Sequence, residues 1–187
     1  MLEFNFHPFP ELQTPRLLLR RMVAGDAPAL FALRTSIDVL RYIDRPPHRS
    51  QEDSLEMIQK ISESTEKNET IAWAITLHGK AEMIGNISYH RIEKENHRAE
   101  IGYLLHPSFW RQGFAGEAMG SVLEHGFNVM KLHSIEANVN PDNLASSGLL
   151  KKFGFVREAY FRENFLFNGR YIDTEIYSLL EKNYFQE

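Results

Sequence analysis

Cysteine is missing from the whole sequence of 187 residues. The chain can therefore form no disulfide framework and no thiolate metal site, and it has no cysteine nucleophile. Any thiol chemistry that the protein performs must come from a bound cofactor.

Long apolar runs are missing as well. No stretch approaches the roughly 18 residues of a membrane span, and the start, MLEFNFHPFPEL, has no basic region followed by an apolar segment. The sequence therefore predicts no membrane partner, with the cytoplasm as the default location.

An excess of positive charge is the third feature that the chain does not have. Its formal net charge is −4 at pH 7, whereas sequence-independent binding to nucleic acid needs clustered lysine and arginine. We therefore expect no nucleic-acid partner. The eight histidines show no HExxH or other tight ligand spacing, so we expect no metal centre either.

The composition that remains is typical of a packed globular chain, with 43% hydrophobic and 25% charged residues. No internal repeat, low-complexity tract or linker rich in proline and glycine divides the sequence. Its length suits one core of ordinary size. We therefore predict a single domain over residues 1–187.

Hydrophobic periodicity predicts an α+β fold, with a mixed, mostly antiparallel sheet of about seven strands and flanking helices. The predicted strands cover residues 16–22, 71–77, 83–92, 98–105, 134–139, 155–161 and 171–180. The predicted helices cover 26–34, a segment after Ser50 that ends in the polar run 62–69, then 113–130 and 144–153. A capping box at residues 50–53 marks the start of the second helix.

The loop before the long helix at 113–130 has small residues at Gly113, Ala115 and Gly116. The first N–H groups of a helix have no internal partner and lie at the positive end of its dipole, so such a turn suits phosphate oxygens. Arg111 can add a charge-assisted contact. Taken alone, glycines before a helix more often serve a tight turn, and neither a GxGxxG nor a Walker pattern is present.

The run FWRQGFAGEA at residues 109–118 resembles the coenzyme A pyrophosphate loop of GNAT N-acetyltransferases, in the form typical of the RimJ/RimL branch. Four other segments resemble that branch in the right order: LQTPRLLLR at 12–20, AEIGYLL at 99–105, NLASSGLLKKFGF at 143–155 and NGRYIDTEIYSLL at 168–180. The matches span nearly the whole chain. One departure is Trp110, which stands where the broader superfamily usually has Gln or Arg.

The resemblance implies the GNAT fold and acetyl-CoA as co-substrate. In this family the strand before the loop separates from its neighbour, and the backbone of Tyr103, Leu104 and Leu105 would pair with the pantetheine arm. The phosphates would then contact the loop and the helix start, which consist of Arg111, Gln112, Gly113, Phe114, Ala115 and Gly116.

Asn143 and Ser146 lie three residues apart, on one face of a helix start. Helix capping explains both locally, whereas the matching family residues contact the cofactor near its sulfur. The region after this helix start lacks the Tyr that many GNAT enzymes use, so we hypothesise that Ser146 donates to the departing sulfur, with Ser147 as a substitute. The N–H of Leu105 is a candidate to polarise the thioester carbonyl.

Glu100 lies where family members often place an acidic residue near the acceptor. We hypothesise that its carboxylate takes the proton of the attacking amine through a water. The alternative is that the carboxylate only braces a neighbouring strand. Direct attack of an amine on a thioester needs no covalent enzyme intermediate, so the missing cysteine is no obstacle.

The expected acceptor is an amine, for example the N-terminal α-amine of a protein such as a ribosomal protein. A small-molecule amine (a polyamine, an amino sugar or an amino acid) is an alternative, and so is a non-catalytic domain that senses acyl-CoA. Acceptor specificity is expected in residues 24–61 and 164–171, where no motif names a ligand. A homodimer is the state that many relatives adopt.

Overall fold

The structure is a computed structural model, and it describes residues 2–185. Eight strands and six helices are described in this part of the chain. The strands are β1 (Leu12–Gln13), β2 (Leu17–Arg21), β3 (Ile71–Leu77), β4 (Met83–Glu93), β5 (Arg98–Leu105), β6 (Ser134–Val139), β7 (Val156–Phe167) and β8 (Arg170–Leu180). The helices are α1 (Ala27–Thr35), α2 (Ile37–Leu40), α3 (Gln51–Glu66), α4 (Phe114–Asn128), α5 (Leu144–Lys152) and α6 (Glu181–Tyr184).

All eight strands form one mixed sheet in the order β1-β2-β3-β4-β5-β6-β8-β7. Every neighbouring pair is antiparallel except β5 and β6, which run parallel. The connection between these two strands contains α4, as a crossover between parallel neighbours requires. The predicted α+β class and the mostly antiparallel sheet are confirmed.

Helices cover both faces of the sheet, and strand β3 contributes buried residues to the core on each face. Ile71, Trp73 and Ile75 belong to one apolar cluster, while Ala72 and Ala74 belong to a second. Alternate residues of a strand point to opposite faces, so β3 contributes to two cores. The first cluster includes buried residues of α4 and α5, and the second includes residues of α1, α2 and α3.

The end of α3 differs from the prediction. The helix continues through the polar run as far as Glu66, because Thr65 is buried at 1% exposure and its hydroxyl donates to the Ile61 carbonyl at 2.8 Å. The start also differs, since the Ser50 side chain makes no capping bond. Asp53 instead accepts a hydrogen bond from the Arg49 N–H at 2.7 Å.

Four shorter features were not predicted from the sequence: β1, α2, α6 and the extension of β7 to Phe167. Each of the first three has four residues or fewer, too few for a hydrophobic period to show. In the described part of the chain no helix has both the length and the apolar character needed to cross a membrane.

Candidate active site

The centre of the sheet opens between β5 and β6. These strands pair at only three positions, the last being Glu100 with Glu136. Beyond that point β5 stays paired to β4, and β6 stays paired to β8, without pairing to each other. The edge of β5 from Ile101 to Leu105 therefore faces a gap, where an extended ligand can add as a strand.

The loop after β5 is fastened back onto the strand. The Trp110 indole N–H donates to the Leu105 carbonyl at 2.7 Å, so this carbonyl already has a hydrogen-bond partner within the protein. The N–H of His106 donates to the Ile84 carbonyl at 2.8 Å. Trp110 thus fixes the path of the chain from the gap toward α4, which gives a structural reason for a tryptophan at this position.

The N-terminus of α4 is left open. Gly113 takes the cap position with φ = 84°, and no side chain caps the helix there. The first bond of the helix runs from the Glu117 N–H to the Gly113 carbonyl at 3.0 Å. The N–H groups of Phe114, Ala115 and Gly116 precede that bond and have no helical partner, so they suit an anion such as a diphosphate.

A clamp that the sequence did not reveal holds this loop in place. The Arg16 Nε donates to the Glu117 carboxylate at 2.6 Å, and its Nη1 donates to the Gln112 carbonyl at 2.9 Å. The same guanidinium lies 4.3 Å from the centroid of the Phe114 ring. Burial raises the pKa of Glu117, but the hydrogen bonds from Thr14 and Arg16 outweigh it and lower that pKa. The ion pair ties α4 to the turn before β2.

The side chains of Gln112 and Arg111, both predicted to contact the cofactor, differ in whether they already have a partner in the protein. The Gln112 side chain donates to the Ser108 carbonyl at 2.8 Å, so it supports the loop itself. Arg111 is exposed and makes no ion pair among residues 2–185. Its guanidinium is therefore free to meet a phosphate.

Gly113→Ala should lower the free energy of unfolding by about 1 to 2 kcal/mol, because alanine is strained at φ = 84° and its Cβ would lie 3.2 Å from the Arg16 Nη2. It should also raise the Kd for CoA. Urea unfolding and calorimetry measure the two effects. Gly148→Ala is the matched control, since nothing outside its own stretch of helix lies within 4 Å of its added Cβ, and a helix-interior alanine should be neutral or stabilising. Equal stability of the two variants would contradict this account of Gly113.

Asn143 and Ser146 meet at the start of α5, as predicted, but the Asn143 side chain caps the helix whereas the Ser146 hydroxyl contacts another strand. The Asn143 Oδ1 accepts from the Ser146 N–H at 3.1 Å, which is the capping bond. The Ser146 hydroxyl lies 2.7 Å from the Tyr103 hydroxyl. Ser147 is buried and its hydroxyl donates to the Leu144 carbonyl at 3.3 Å, so it is committed to the helix.

Tyr103 was assigned only a backbone role in the sequence analysis, and its side chain is a further finding. It packs against the core cluster that contains α4 and α5. Burial raises the pKa of the Tyr103 phenol to about 12, so the hydroxyl stays protonated and can donate. Because Tyr103 comes from β5 and Ser146 from α5, the pair connects both sides of the gap.

Glu100 lies on the opposite face of β5, since its neighbours Ala99 and Ile101 belong to the core with α4. The Arg91 Nη1 donates to its Oε2 at 2.7 Å. The His90 Nε2 lies 3.2 Å from its Oε1. Burial raises the pKa of Glu100, but hydrogen bonds from His90 and Asn138 and the charge of Arg91 outweigh burial and lower it to about 2.

His90 is a residue that sequence reasoning missed. It lies directly opposite Glu100 in the β4–β5 register. Its ring lies over Gly102, where a side chain would meet the His90 Cε1 at 3.0 Å and Nδ1 at 3.6 Å. Glycine at 102 therefore makes room for the imidazole. While Nε2 faces Glu100, Nδ1 has no hydrogen-bond partner within residues 2–185.

Comparison with known proteins identifies the family of this chain. A family model described as "Acetyltransferase (GNAT) domain" matches residues 16–156. "Uncharacterized N-acetyltransferase YoaA" of Bacillus subtilis (strain 168) is 38% identical over 173 residues, which are 92% of this chain and 98% of that relative. The solved structure of an "acetyltransferase (GNAT family) from Bacillus anthracis" has a TM-score of 0.81 and 28% identity, covering 92% of this chain and 99% of that one.

Two further relatives have names that state an acceptor. "Spermidine N(1)-acetyltransferase" of Vibrio cholerae serotype O1 is 26% identical, covering 90% of this chain and 95% of that relative. "Ribosomal-protein-serine acetyltransferase" of Escherichia coli (strain K12) is 27% identical, covering 68% of this chain and 77% of that relative.

The fold and these relatives therefore define an acyltransferase that uses acetyl-CoA. The chain belongs to the GNAT acetyltransferase family, and the resemblance found in its sequence is confirmed.

Proposed function

We propose that this N-acetyltransferase, acting as one domain over residues 1–187, acetylates the N-terminal α-amine of a protein by direct attack in a ternary complex. The observation that carries the proposal is the arrangement around the gap. The Glu100–His90 pair lies on one face of β5 and the Tyr103–Ser146 pair on the other. A thioester in the gap would have a proton acceptor on one side and a proton donor on the other.

The residues at the gap fit acetyl-CoA, whose thioester supplies the activated acetyl group when it is bound. The amides of residues 112–116, among which those of 114–116 have no helical partner, would hold its phosphates together with Arg111. The edge of β5 at Tyr103, Leu104 and Leu105 would pair with its pantetheine arm, and the Leu105 N–H would polarise the carbonyl. Asn143 orders the helix start that carries Ser146.

The chemistry favours an α-amine because it must lose its proton before attack. A terminal amine with a pKa near about 8 costs roughly 1.4 kcal/mol to deprotonate at neutral pH, while a lysine near about 10.4 costs over 4 kcal/mol. A modest base is sufficient for the terminal amine. The relationship to a protein named ribosomal-protein-serine acetyltransferase supports a protein as the acceptor.

Glu100 serves proton removal through His90. A carboxylate whose pKa is about 2 is a poor proton acceptor near neutrality. Histidine is the side chain that most often acts as a general base in enzymes. His90 Nδ1 takes the proton from the ammonium group, and the Glu100 carboxylate fixes the ring through Nε2 and stabilises the imidazolium. The neutral amine nitrogen would then bond to the acetyl carbon while the C–S bond breaks with its electron pair on the sulfur. Ser146 would donate a proton to that sulfur, and the second proton lost by the nitrogen would replace it.

Ser146→Ala should lower kcat about tenfold, because the departing sulfur loses its hydrogen-bond donor. Tyr103→Phe should lower kcat by less, since it removes only the hydroxyl that is hydrogen-bonded to Ser146 and keeps the packing of the ring. Steady-state kinetics at saturating acetyl-CoA measure both, and Ser147→Ala is the matched control with unchanged kcat. Full activity of the Ser146 variant would remove the residue from the mechanism.

A CoA thiol-release assay with acetyl-CoA and an amine panel tests the function. The panel should contain a peptide with a free N-terminus, the same peptide with a blocked N-terminus, and spermidine. We expect thiol release with the free peptide only. Tight acetyl-CoA binding without release for any amine would instead favour an acyl-CoA sensor.

A polyamine acceptor is the second candidate, and a specific cavity favours it. The cavity of about 690 Å³ lies between the loop before α5 and the β7–β8 hairpin, and it is lined by Asp142, Glu163 and Asp173 together with Arg170. Its carboxylates suit a cationic ligand, and one relative is named as a spermidine acetyltransferase. Thiol release with spermidine and not with the peptide would establish this candidate.

A further inference from the structure

Arg34 is a buried cation without a counter-ion. It lies in the last turn of α1 with 7% of its surface exposed. Its Nη2 donates to the Pro46 carbonyl at 3.2 Å, but its Nε has no partner. No carboxylate of residues 2–185 forms an ion pair with it, although such pairs hold Arg16, Arg20 and Arg91.

Arg34 lines a cavity of about 550 Å³ between the end of α1 and the start of α3. Arg45 and Arg49 line the same cavity, and neither makes an ion pair within the part of the chain that is described. Lys60 adds a fourth positive charge. The cavity is large enough for a small molecule.

The acidic residues of this cavity do not neutralise its arginines. Asp53 accepts a hydrogen bond from the Arg49 backbone N–H at 2.7 Å, at the start of α3. Glu56 lies 3.7 Å from Lys60, on the exposed surface of the same helix. With four cationic and two anionic side chains, the cavity therefore keeps a positive charge around Arg34.

A buried guanidinium is costly when it has no anion beside it. Burial and the nearby Arg45 lower the pKa of Arg34, which is the direction expected for an uncompensated charge. The same planar group binds carboxylates and phosphates through two parallel hydrogen bonds. An anion in the cavity would thus supply the partner that the protein itself does not.

We propose that the cavity lined by Arg34, Arg45 and Arg49 is a binding site for an anionic group, a carboxylate or a phosphate. It is separate from the cofactor loop, because α1 and α3 pack in the second core cluster whereas α4 packs in the first. The site goes beyond acetyl transfer itself: the anion is either a free small molecule or an acidic group carried by the acceptor.

Calorimetric titration with inorganic phosphate tests the site, in the presence of saturating CoA so that the loop before α4 is filled. A failure of CoA to bind would show at that first step and would count against the proposed function alone. We expect one saturable phosphate site in the wild type. The double variant Arg45→Gln/Arg49→Gln, which changes two side chains without ion pairs, should raise its Kd at least tenfold.

Arg34→Met should abolish phosphate binding, and circular dichroism checks that it folds. Arg162→Gln is the matched control, because Arg162 is exposed and lies on β7 outside the cavity. Phosphate that competes with the amine acceptor would assign the site to an acidic group of the acceptor, and non-competitive binding would assign it to a free anion. No saturable phosphate binding, or equal Kd values for the wild type and the double variant, would overturn the proposal.

Discussion

His90→Ala should lower kcat at least about 100-fold while the Kd for CoA stays at the wild-type value. The loss is expected because general base catalysis is typically worth 10² to 10⁴ in rate, and His90 has Nδ1 unpartnered while its Nε2 faces Glu100. Steady-state kinetics with a terminal amine acceptor measure it. His133→Ala is the matched control, since His133 is exposed and makes no side-chain contact with the site.

Glu100→Gln separates the two roles of the pair. A glutamine keeps an oxygen that can accept from the His90 Nε2–H but loses the charge that stabilises the imidazolium, so turnover should fall about tenfold with CoA binding intact. If Glu100 were itself the base, the order would reverse, with Glu100→Gln far more damaging than His90→Ala. Near wild-type turnover of both variants would leave the carboxylate as a brace between β4 and β5.

Acidification from pH 6.5 to pH 4 should remove about 3 kcal/mol of the free energy of unfolding through His125 alone. This residue of α4 is 7% exposed and packs its ring against Trp73 at 5.6 Å. Burial lowers its pKa from 6.5 to about 4. In that window the unfolded chain binds a proton that the folded chain excludes, so stability falls as the pH falls.

Urea unfolding at pH 7 and pH 4.5 checks this expectation. His125→Phe is the informative variant, because an apolar ring keeps the contact with Trp73 and has no proton to bind. Its loss of stability on acidification should be smaller than that of the wild type by most of the His125 contribution. Parallel curves for the two proteins would show that His125 is not the source of the acid sensitivity.

The sequence was most informative where one segment carries a whole feature. The long α4 and the strands β3, β5 and β6 have strong periodic patterns, and they lie close to where the patterns predicted them. The features of the loop at 109–118 also lie within one short segment, so its small residues and the helix start without a side-chain cap could be predicted together. The predicted end of α3 was wrong because the burial of Thr65 in the tertiary structure keeps a polar segment helical.

The contacts of the candidate active site were harder to predict from the sequence, because they depend on strand register and on contacts between distant segments. His90 faces Glu100 only through the pairing of β4 with β5. The Tyr103 hydroxyl meets Ser146 across 43 residues of chain. Arg16 and Glu117 are farther apart still. One signal was present in the sequence: Gly102, in the middle of a strand, indicates that another group approaches the backbone closely.

Amide NMR during a CoA titration tests the central claim most directly. If main-chain N–H groups at the start of α4 hold the diphosphate, the amide signals of Gly113, Phe114, Ala115 and Gly116 should shift and saturate together. The amides of Gly148 and of the β7–β8 turn should stay in place. Saturable CoA binding that leaves the four α4 amides unchanged would contradict the account.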